Sequence, residues 1–334
     1  MVNSNAMDVD LVVPYFNGHD YIEAAILSAK KQTIPFGEIF LVDDGSESVS
    51  SEFAKEISLK YGVTYLWKSN GGQGSARNFG ISQSEAGLIC FLDQDDFLCP
   101  DHNEILISEF RTLPKNKGWV SGNFSCCDEN GYVYQINANP AIAHQITNVY
   151  QMVDHDLFML PSGTIISSEA LRAVGGFDEQ FKGYEDDDLF IRLFRAGFSF
   201  RYVDKEVYVW RMHGGQTSSS IKMLHSRKKF ISKWMAEDFG SAVNEGQLKS
   251  SIIRRFRPAL VQDVLYGEKK EFAATARAIL LEILRDYSAF ITPMWRISLN
   301  SVCYLPRPVS RASYRLYKKI KNYPGVRFLL RHAG

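Results

Sequence analysis

Two spacings of apolar residues alternate through the N-terminal part of the chain. Short runs at Val9 to Val13, Glu38 to Val42, Val63 to Trp67 and Leu88 to Leu92 have the length and the β-branched or aromatic content of buried strands. Between them the apolar residues recur every three or four positions. Ile22, Ala25, Ile26 and Ala29, behind Asp20-x-x-Glu23, predict a helix opened by a capping box, and the segments near 52–60 and 75–85 predict two more. Pro14 is expected to stop the first strand. The resulting order, β-α-β-α-β-α-β, implies an α/β fold, a mostly parallel sheet with right-handed crossovers and helices on both faces. Every loop that follows a strand then lies along one edge, so Asp44, Asn70 and Asp93 are expected in one cleft.

Beyond Pro100 the pattern changes. A helix is predicted over 101–113, and strands over 119–124 and 132–136 flank the turn signal Asp128-Glu129-Asn130-Gly131. This half, 101–217, is expected to carry a hairpin and to cover the cleft formed by 1–100. From 218 to 334 the segments read as helical and increasingly basic, broken by Pro306, Pro308 and Pro324.

A length of 334 residues with 45% hydrophobic content suffices for a large core and argues against disorder. The formal charge is zero, yet from Arg285 onward there are ten Lys/Arg against one acid. Such segregation points to an anionic partner. Arg311, Tyr314, Arg315, Tyr317, Lys318, Lys319 and Lys321 suit an interfacial helix, its cations on anionic headgroups and its aromatic residues dipping inward. A solvated basic helix would look the same. No nucleic-acid motif accompanies the tail, so nucleic acid is not expected. The cysteines 90, 99, 126, 127 and 303 form no CxxC pair, and neither a membrane-spanning run nor a signal-peptide pattern is seen. A reduced, cytoplasmic setting is expected, peripheral at the inner face of the plasma membrane.

Chemistry concentrates in two acidic clusters. Asp93-Gln94-Asp95-Asp96 emerges from the Leu88 to Leu92 strand, and alternate carboxylates there can share a hard divalent cation, Mn²⁺ or Mg²⁺, with a diphosphate. Those acids would equally serve as caps of the helix that follows. Glu185-Asp186-Asp187-Asp188 opens an amphipathic segment that closes at Gly197, and one of the four could accept a proton, its pKa lifted by its neighbours. Dipole capping is the plainer alternative. The run Asn70-Gly71-Gly72-Gln73-Gly74-Ser75-Ala76-Arg77-Asn78 combines glycines that let backbone approach a ligand with helix amides and an arginine fork suited to phosphate. It is neither GxGxxG nor Walker A. His213 could touch a metal or a phosphate, or be an ordinary hydrogen-bonded residue.

In their order, Val12 to Asn17, Gln32-Thr33, Leu41 to Ser46, Gly74 to Asn78, Phe91 to Asp96, and Gly175-Gly176-Phe177-Asp178 leading to Glu185-Asp186 resemble a family 2 glycosyltransferase of the GT-A fold, over about residues 8–215. The resemblance implies an inverting, metal-dependent hexosyltransferase of bacterial surface polysaccharide assembly. Its donor would be a nucleotide-diphosphate sugar, a UDP-sugar by expectation, and its acceptor a saccharide or lipid-linked saccharide. Residues 1–100 would bind the donor and 101–217 the acceptor. Pro14, Phe16 and Asp44 would line the nucleoside pocket, Arg77 would lie near the base or diphosphate, and Asp93 near the ribose. Asn70, Gly71 and Gln94 join them in the donor site. Asp95 and His213 would hold the metal, and Asp186 would be the base. Phe16 stands where Tyr or His is more usual, and Asp187 and Asp188 leave the base open by one position. A sugar-1-phosphate nucleotidyltransferase would share the sheet and the metal, but its Gly-rich, Arg-containing loop after the first strand is replaced here by Pro14 to Asp20. A non-catalytic nucleotide-sugar-binding protein is the remaining alternative.

Overall fold

A computed structural model describes residues 8–139, 146–154, 159–214, 221–239, 245–266, 270–291 and 293–304. The basic segment Arg311 to Lys321, the prolines at 306, 308 and 324, and residues 1–7 lie outside the described residues. The chain divides into two compact units, 1–219 and 220–334.

The first unit is built on one mixed sheet. Its strands are β1 (Val9–Tyr15), β2 (Ile39–Asp43), β3 (Thr64–Trp67), β4 (Leu88–Phe91), β5 (Phe97–Leu98), β6 (Lys117–Cys127), β7 (Val133–Gln135), β8 (Thr164–Ser167) and β9 (Ser199–Arg211), in the order β3-β2-β1-β4-β8-β6-β9-β5, with β7 on β6. The first four strands pair in parallel, as the alternation of apolar periods requires. Their crossovers are α1 (Ile22–Lys30), α2 (Ser48–Tyr61) and α3 (Gln73–Gln83). From β4 onward the sheet turns mixed: β8 runs antiparallel to β4 and β6, and β9 lies parallel to β6. The shorter helices α4 (His102–Arg111), α5 (Val149–Asp154), α6 (Ser168–Val174) and α7 (Glu185–Arg195) belong to this second half.

Several local expectations are corrected. β1 runs through Pro14, which sits opposite Val42 of β2. Leu11 N–H bonds toward β2, so by alternation the nitrogen of Pro14 faces the other side, where pairing with β4 has already ended at Val12. No ladder bond is lost. The Asp20 and Glu23 capping box does not form: Tyr21 is the N-cap, without a side-chain cap, and the Glu23 carboxylate instead accepts from Lys60 Nζ at 2.6 Å and Tyr61 OH at 2.5 Å on α2. β6, expected in a cover over the cleft, is instead an interior strand between β8 and β9, buried from Gly118 to Cys127. Only its partner β7 stands out, with Tyr132, Tyr134 and Ile136 exposed.

Three loops meet at the C-terminal edge of the parallel strands. Asn17 N–H, after β1, donates to Ser46 Oγ, after β2, at 3.0 Å, and Phe16 N–H donates to Gln94 Oε1, after β4, at 2.8 Å. This is the edge at which doubly wound sheets bind ligands.

The second unit contains α8 (Ile221–Ala236), α9 (Glu245–Tyr266), α10 (Lys270–Asp286) and α11 (Pro293–Tyr304). Leu224, Phe230 and Trp234 of α8, Ile252, Phe256 and Leu260 of α9, Ala276 and Leu280 of α10, and Val302 of α11 are buried. Among the described residues no helix is long and apolar enough to cross a membrane. Across the sequence of this unit there are 22 Lys/Arg and 8 Asp/Glu, against 16 and 30 in the first, so the units carry +14 and −14.

Gly80 lets α3 lie close on β1, because a Cβ there would stand 2.4 Å from Val12 Cγ1. Alanine gains about 1 kcal/mol of helix propensity, but overpacking a fully buried neighbour costs about 1 to 3 kcal/mol. Gly80→Ala is therefore expected to lower the urea midpoint; a midpoint at or above wild type would refute this packing.

Candidate active site

The end of β2 presents two adjacent carboxylates with opposite tasks. Asp43 turns inward and accepts from Ser46 N–H at 2.8 Å, Ser51 Oγ at 2.5 Å and Tyr65 OH at 2.7 Å. Burial pushes its pKa upward, but these hydrogen bonds outweigh that and hold it below the usual range. Asp44 turns toward the glycine loop and accepts from Gly71 N–H at 2.9 Å, Gly72 N–H at 2.6 Å and Lys68 Nζ at 2.8 Å. Asn70 Nδ2 adds a bond to the Asp44 carbonyl at 2.9 Å. The backbone of this loop is thus folded onto Asp44, and two of its amides are spent within the protein. A carboxylate has about four lone-pair sites, so three donors leave Asp44 one acceptor position.

Pro14 is buried in β1 opposite Val42, and the strand ends one residue later at the buried Tyr15, opposite Asp43. Next to it the Phe16 ring is 47% exposed while its backbone is strapped on both sides by Gln94, whose Nε2 donates back to the Phe16 carbonyl at 3.3 Å. Gly18 has no room for a Cβ, which would stand 2.4 Å from the Gln94 amide. Gln94 therefore holds the first loop against the third.

In the turn after β4 each aspartate has a separate partner. Asp96 is buried and accepts from Arg211 N–H at 3.1 Å and Ser162 Oγ at 2.9 Å, which anchors the turn to β9 and to the one-turn segment Pro161–Gly163. Asp95 Oδ2 lies 2.8 Å from His213 Nε2. The Arg211 guanidinium stacks 4.5 Å from the Tyr21 ring and donates from Nε to the Asp95 carbonyl at 2.9 Å, while the Tyr21 ring also lies 5.2 Å from that of His213. Burial, and then the charge of Asp93, raise the Asp95 pKa, with His213 opposing. Among the described residues no three His, Cys, Asp or Glu side chains form a metal-holding group. The chain offers two donors, one carboxylate and one imidazole, on a turn rich in negative charge. Those donors would fit a divalent ion only if its remaining ligands were supplied by a bound anion or water.

The third part joins α3 to α7. Arg77 is 1% exposed; its Nη2 donates to Asp93 Oδ1 at 2.5 Å and its Nη1 to Glu185 Oε1 at 2.8 Å, above the Phe177 ring. Burial works against the guanidinium charge, but Asp93 and Glu185 outweigh it and keep Arg77 protonated. Gln73 Nε2 reaches the same Glu185 oxygen at 2.5 Å, Asn78 exchanges bonds with the Phe177 backbone at 2.8 Å each way, and Lys182 Nζ reaches the Gly71 carbonyl. Both terminal nitrogens of Arg77 are committed inside the protein, so it stands as a buried bracket where an open phosphate clamp was expected.

Burial separates the four acids of α7. Glu185, Asp187 and Asp188 are buried, and Asp188 pairs with Arg192 at 2.8 Å. Asp186 alone is partly exposed. Burial first, and then the charges of Glu185 and Asp187, push its pKa well above the ordinary carboxylate range, with Arg77 opposing. The two acidic clusters meet around Arg77: Asp93 binds it and acts on Asp95, and Asp186 lies within its field. The loops that carry Phe16, Asp44 and Gln94 thus share this edge, Asn70 and Gly71 fold onto Asp44, and Asp95 with His213 and Asp93 with Arg77 stand in direct contact. Gln73, Lys68, Lys182, Tyr21 and Arg211 also build the site; no sequence pattern marks the two lysines.

Residues 10–175 match the model of Glycosyl transferase family 2, and 162–214 match that of the N-terminal domain of galactosyltransferase. A glycosyltransferase of Rickettsia prowazekii is 31% identical over 236 residues, 68% of this chain and 70% of that protein. Chondroitin synthase of Pasteurella multocida is 30% identical over 231 residues, 66% of this chain and 22% of that protein. The match to a Rickettsia bellii glycosyltransferase likewise spans only 31% of the relative. The crystal structure of S. aureus TarS 1-349 in complex with UDP-GlcNAc superposes with a TM-score of 0.68, over 94% of this chain and 92% of that one, at 18% identity, and so shares its fold.

Removing Arg77 would leave Asp93 and Glu185 facing each other without a cation. Arg77→Ala is expected to cost about 3 to 5 kcal/mol in denaturant unfolding; a loss below about 1 kcal/mol would mean that the bracket is dispensable.

Proposed function

Because this chain belongs to glycosyl transferase family 2, we propose that it is an inverting, divalent-metal-dependent enzyme that moves a sugar from a UDP-sugar to a saccharide or lipid-linked saccharide hydroxyl in surface polysaccharide assembly. Chondroitin and hyaluronan synthases among its relatives, and UDP-GlcNAc in the TarS complex, support that choice of chemistry.

The observation that carries the mechanism is that Asp186 keeps partial access while its neighbours Glu185 and Asp188 are buried in ion pairs with Arg77 and Arg192. A base must reach its proton, and a carboxylate with a raised pKa takes one more readily near neutral pH. Asp186 accepts the proton of the acceptor hydroxyl as that oxygen attacks the anomeric carbon from the face opposite the diphosphate. The C–O bond to the acceptor forms as the bond to the diphosphate breaks, and UDP leaves. Asp95 and His213 would hold the divalent ion, which when bound offsets charge on the leaving diphosphate. Pro14, Phe16 and Asp44 bound the nucleoside pocket, with the remaining acceptor position of Asp44 for the imide N–H of the base and the exposed Phe16 ring for its face. Asn70 and Gly71 shape this wall, Gln94 fixes it, and Asp93 takes the ribose side.

The charge of +14 on 220–334 suits an anionic membrane surface, which would bring a lipid-linked acceptor to a peripheral enzyme. Binding to anionic vesicles should weaken as salt rises, and indifference to both lipid charge and salt would remove this part of the reading.

The central test is UDP release from a panel of UDP-sugars with Mn²⁺ or Mg²⁺. Asp186→Asn is expected to lose a factor of about 10² to 10⁴ in kcat while binding UDP as wild type does, and a chelator should abolish turnover reversibly. Wild-type turnover by Asp186→Asn, or turnover unaffected by chelation, would overturn the corresponding assignment.

A further inference from the structure

The start of α7 is held from outside the helix. Its N-cap, Tyr184, has a left-handed backbone, φ 68°, and supplies no side-chain cap, and Gly183 before it has φ 146°. A non-glycine residue in that region persists when its surroundings over-determine it. Here the surroundings are α3: Arg77 and Gln73 both donate to Glu185 Oε1, at 2.8 and 2.5 Å, while Lys182, on the loop entering α7, is bonded to the Gly71 carbonyl. Glu185 is 1% exposed, so it cannot itself meet an acceptor in solvent. Its Oε2 is buried with no hydrogen-bond partner among the described residues, and so is Arg77 Nε. A side chain placed only for stability would be expected to satisfy both oxygens. One oxygen is fixed and the other is left without a hydrogen bond, one residue before Asp186.

We infer that Glu185 is a positioning residue of the transfer: held by Arg77 and Gln73, it fixes where Asp186 stands at the cleft and supplies the negative charge against which Asp186 takes its proton. This rests on Asp186 being the base. The groups acting on Asp186 are Glu185 and Asp187 of its own helix and Arg77 of α3, the last shared with Asp93 of the turn after β4. The helices packed on α7 bring Asp154 on α5 and Glu169 and Arg172 on α6. Burial and the like charges raise the pKa of Asp186 while Arg77 lowers it, so loss of the Glu185 charge must lower it. The arrangement also links donor and base, because the helix that grips Glu185 begins at the loop folded over Asp44.

Glu185→Gln keeps size and an acceptor oxygen for Arg77 but removes the charge. With the UDP-sugar that wild type turns over, its kcat should fall about tenfold or more. The limb of kcat/KM that rises with pH should move down by about one pH unit, and the Kd for UDP should stay within about twofold of wild type. Gln73→Leu loosens the hold and keeps the charge, so kcat should fall with no downward movement of the limb. An unmoved limb in a folded Glu185→Gln protein would overturn the inference, as would a loss of UDP affinity that matches the loss of kcat/KM. If Glu185→Gln does not fold, wild-type kcat in Gln73→Leu overturns it. Asp186→Asn run alongside separates the two readings. Should it turn over as wild type does, the base assignment falls and this inference with it; should it be inactive while Glu185→Gln keeps a wild-type profile, this inference falls alone.

Discussion

A single guanidinium sealed from water holds the site in register. Arg77 is an interior cation on α3, and its two terminal nitrogens reach the turn after β4 and the first residue of α7, segments separated by about ninety positions in the chain. Desolvating such a group is costly, and the cost is offset only while both carboxylates stay in place. The constraint therefore runs in both directions. Asp93 and Glu185 fix Arg77, and Arg77 sets the distance between the turn after β4 and the start of α7. Gly80 extends the constraint to the sheet, because it seats α3 directly on Val12 of β1.

Much of this was legible in the sequence because period and position are local properties. The four parallel strands and their three helices follow from runs of apolar residues, and the loops after β1, β2 and β4 converge because parallel topology leaves them nowhere else to go. What escaped was decided by tertiary partners. Glu23 has the spacing of a capping box and is drawn away by Lys60 and Tyr61. Pro14 looks like a strand end and is harmless because its nitrogen faces a side where no ladder remains. The turn signal after β6 does close an antiparallel pairing with β7, but β6 itself, whose glycines admit Val207 beside Gly122 and Phe198 beside Gly118, is an interior strand and no cover.

The candidate site divides along the same line. Motif order singled out the candidate residues, but spacing alone could not rank Asp186, Asp187 and Asp188, since adjacent positions at a helix start differ only in the direction they face. Tertiary contacts separate two of them: Asp188 is paired with Arg192, whereas Asp186 is only partly covered. The glycine loop is the converse case. Its composition suggested backbone open to a phosphate, whereas Gly71 and Gly72 donate their amides to Asp44, so the loop is closed onto the end of β2. The Asp44 carboxylate is thereby oriented by three donors before any ligand meets it.

The opposite charges of the two units make the isoelectric point, about 7.0, a poor guide to behaviour in solution. A chain that is neutral in sum but strongly polarised along its length attracts its own copies, acidic unit to basic unit, whenever the solvent does not screen it. At about 0.1 M salt the screening length falls to about 10 Å and this mutual attraction subsides. Colloidal stability near neutral pH is therefore governed by ionic strength: dilute buffer favours clustering and moderate salt disperses it, the reverse of ordinary salting-out.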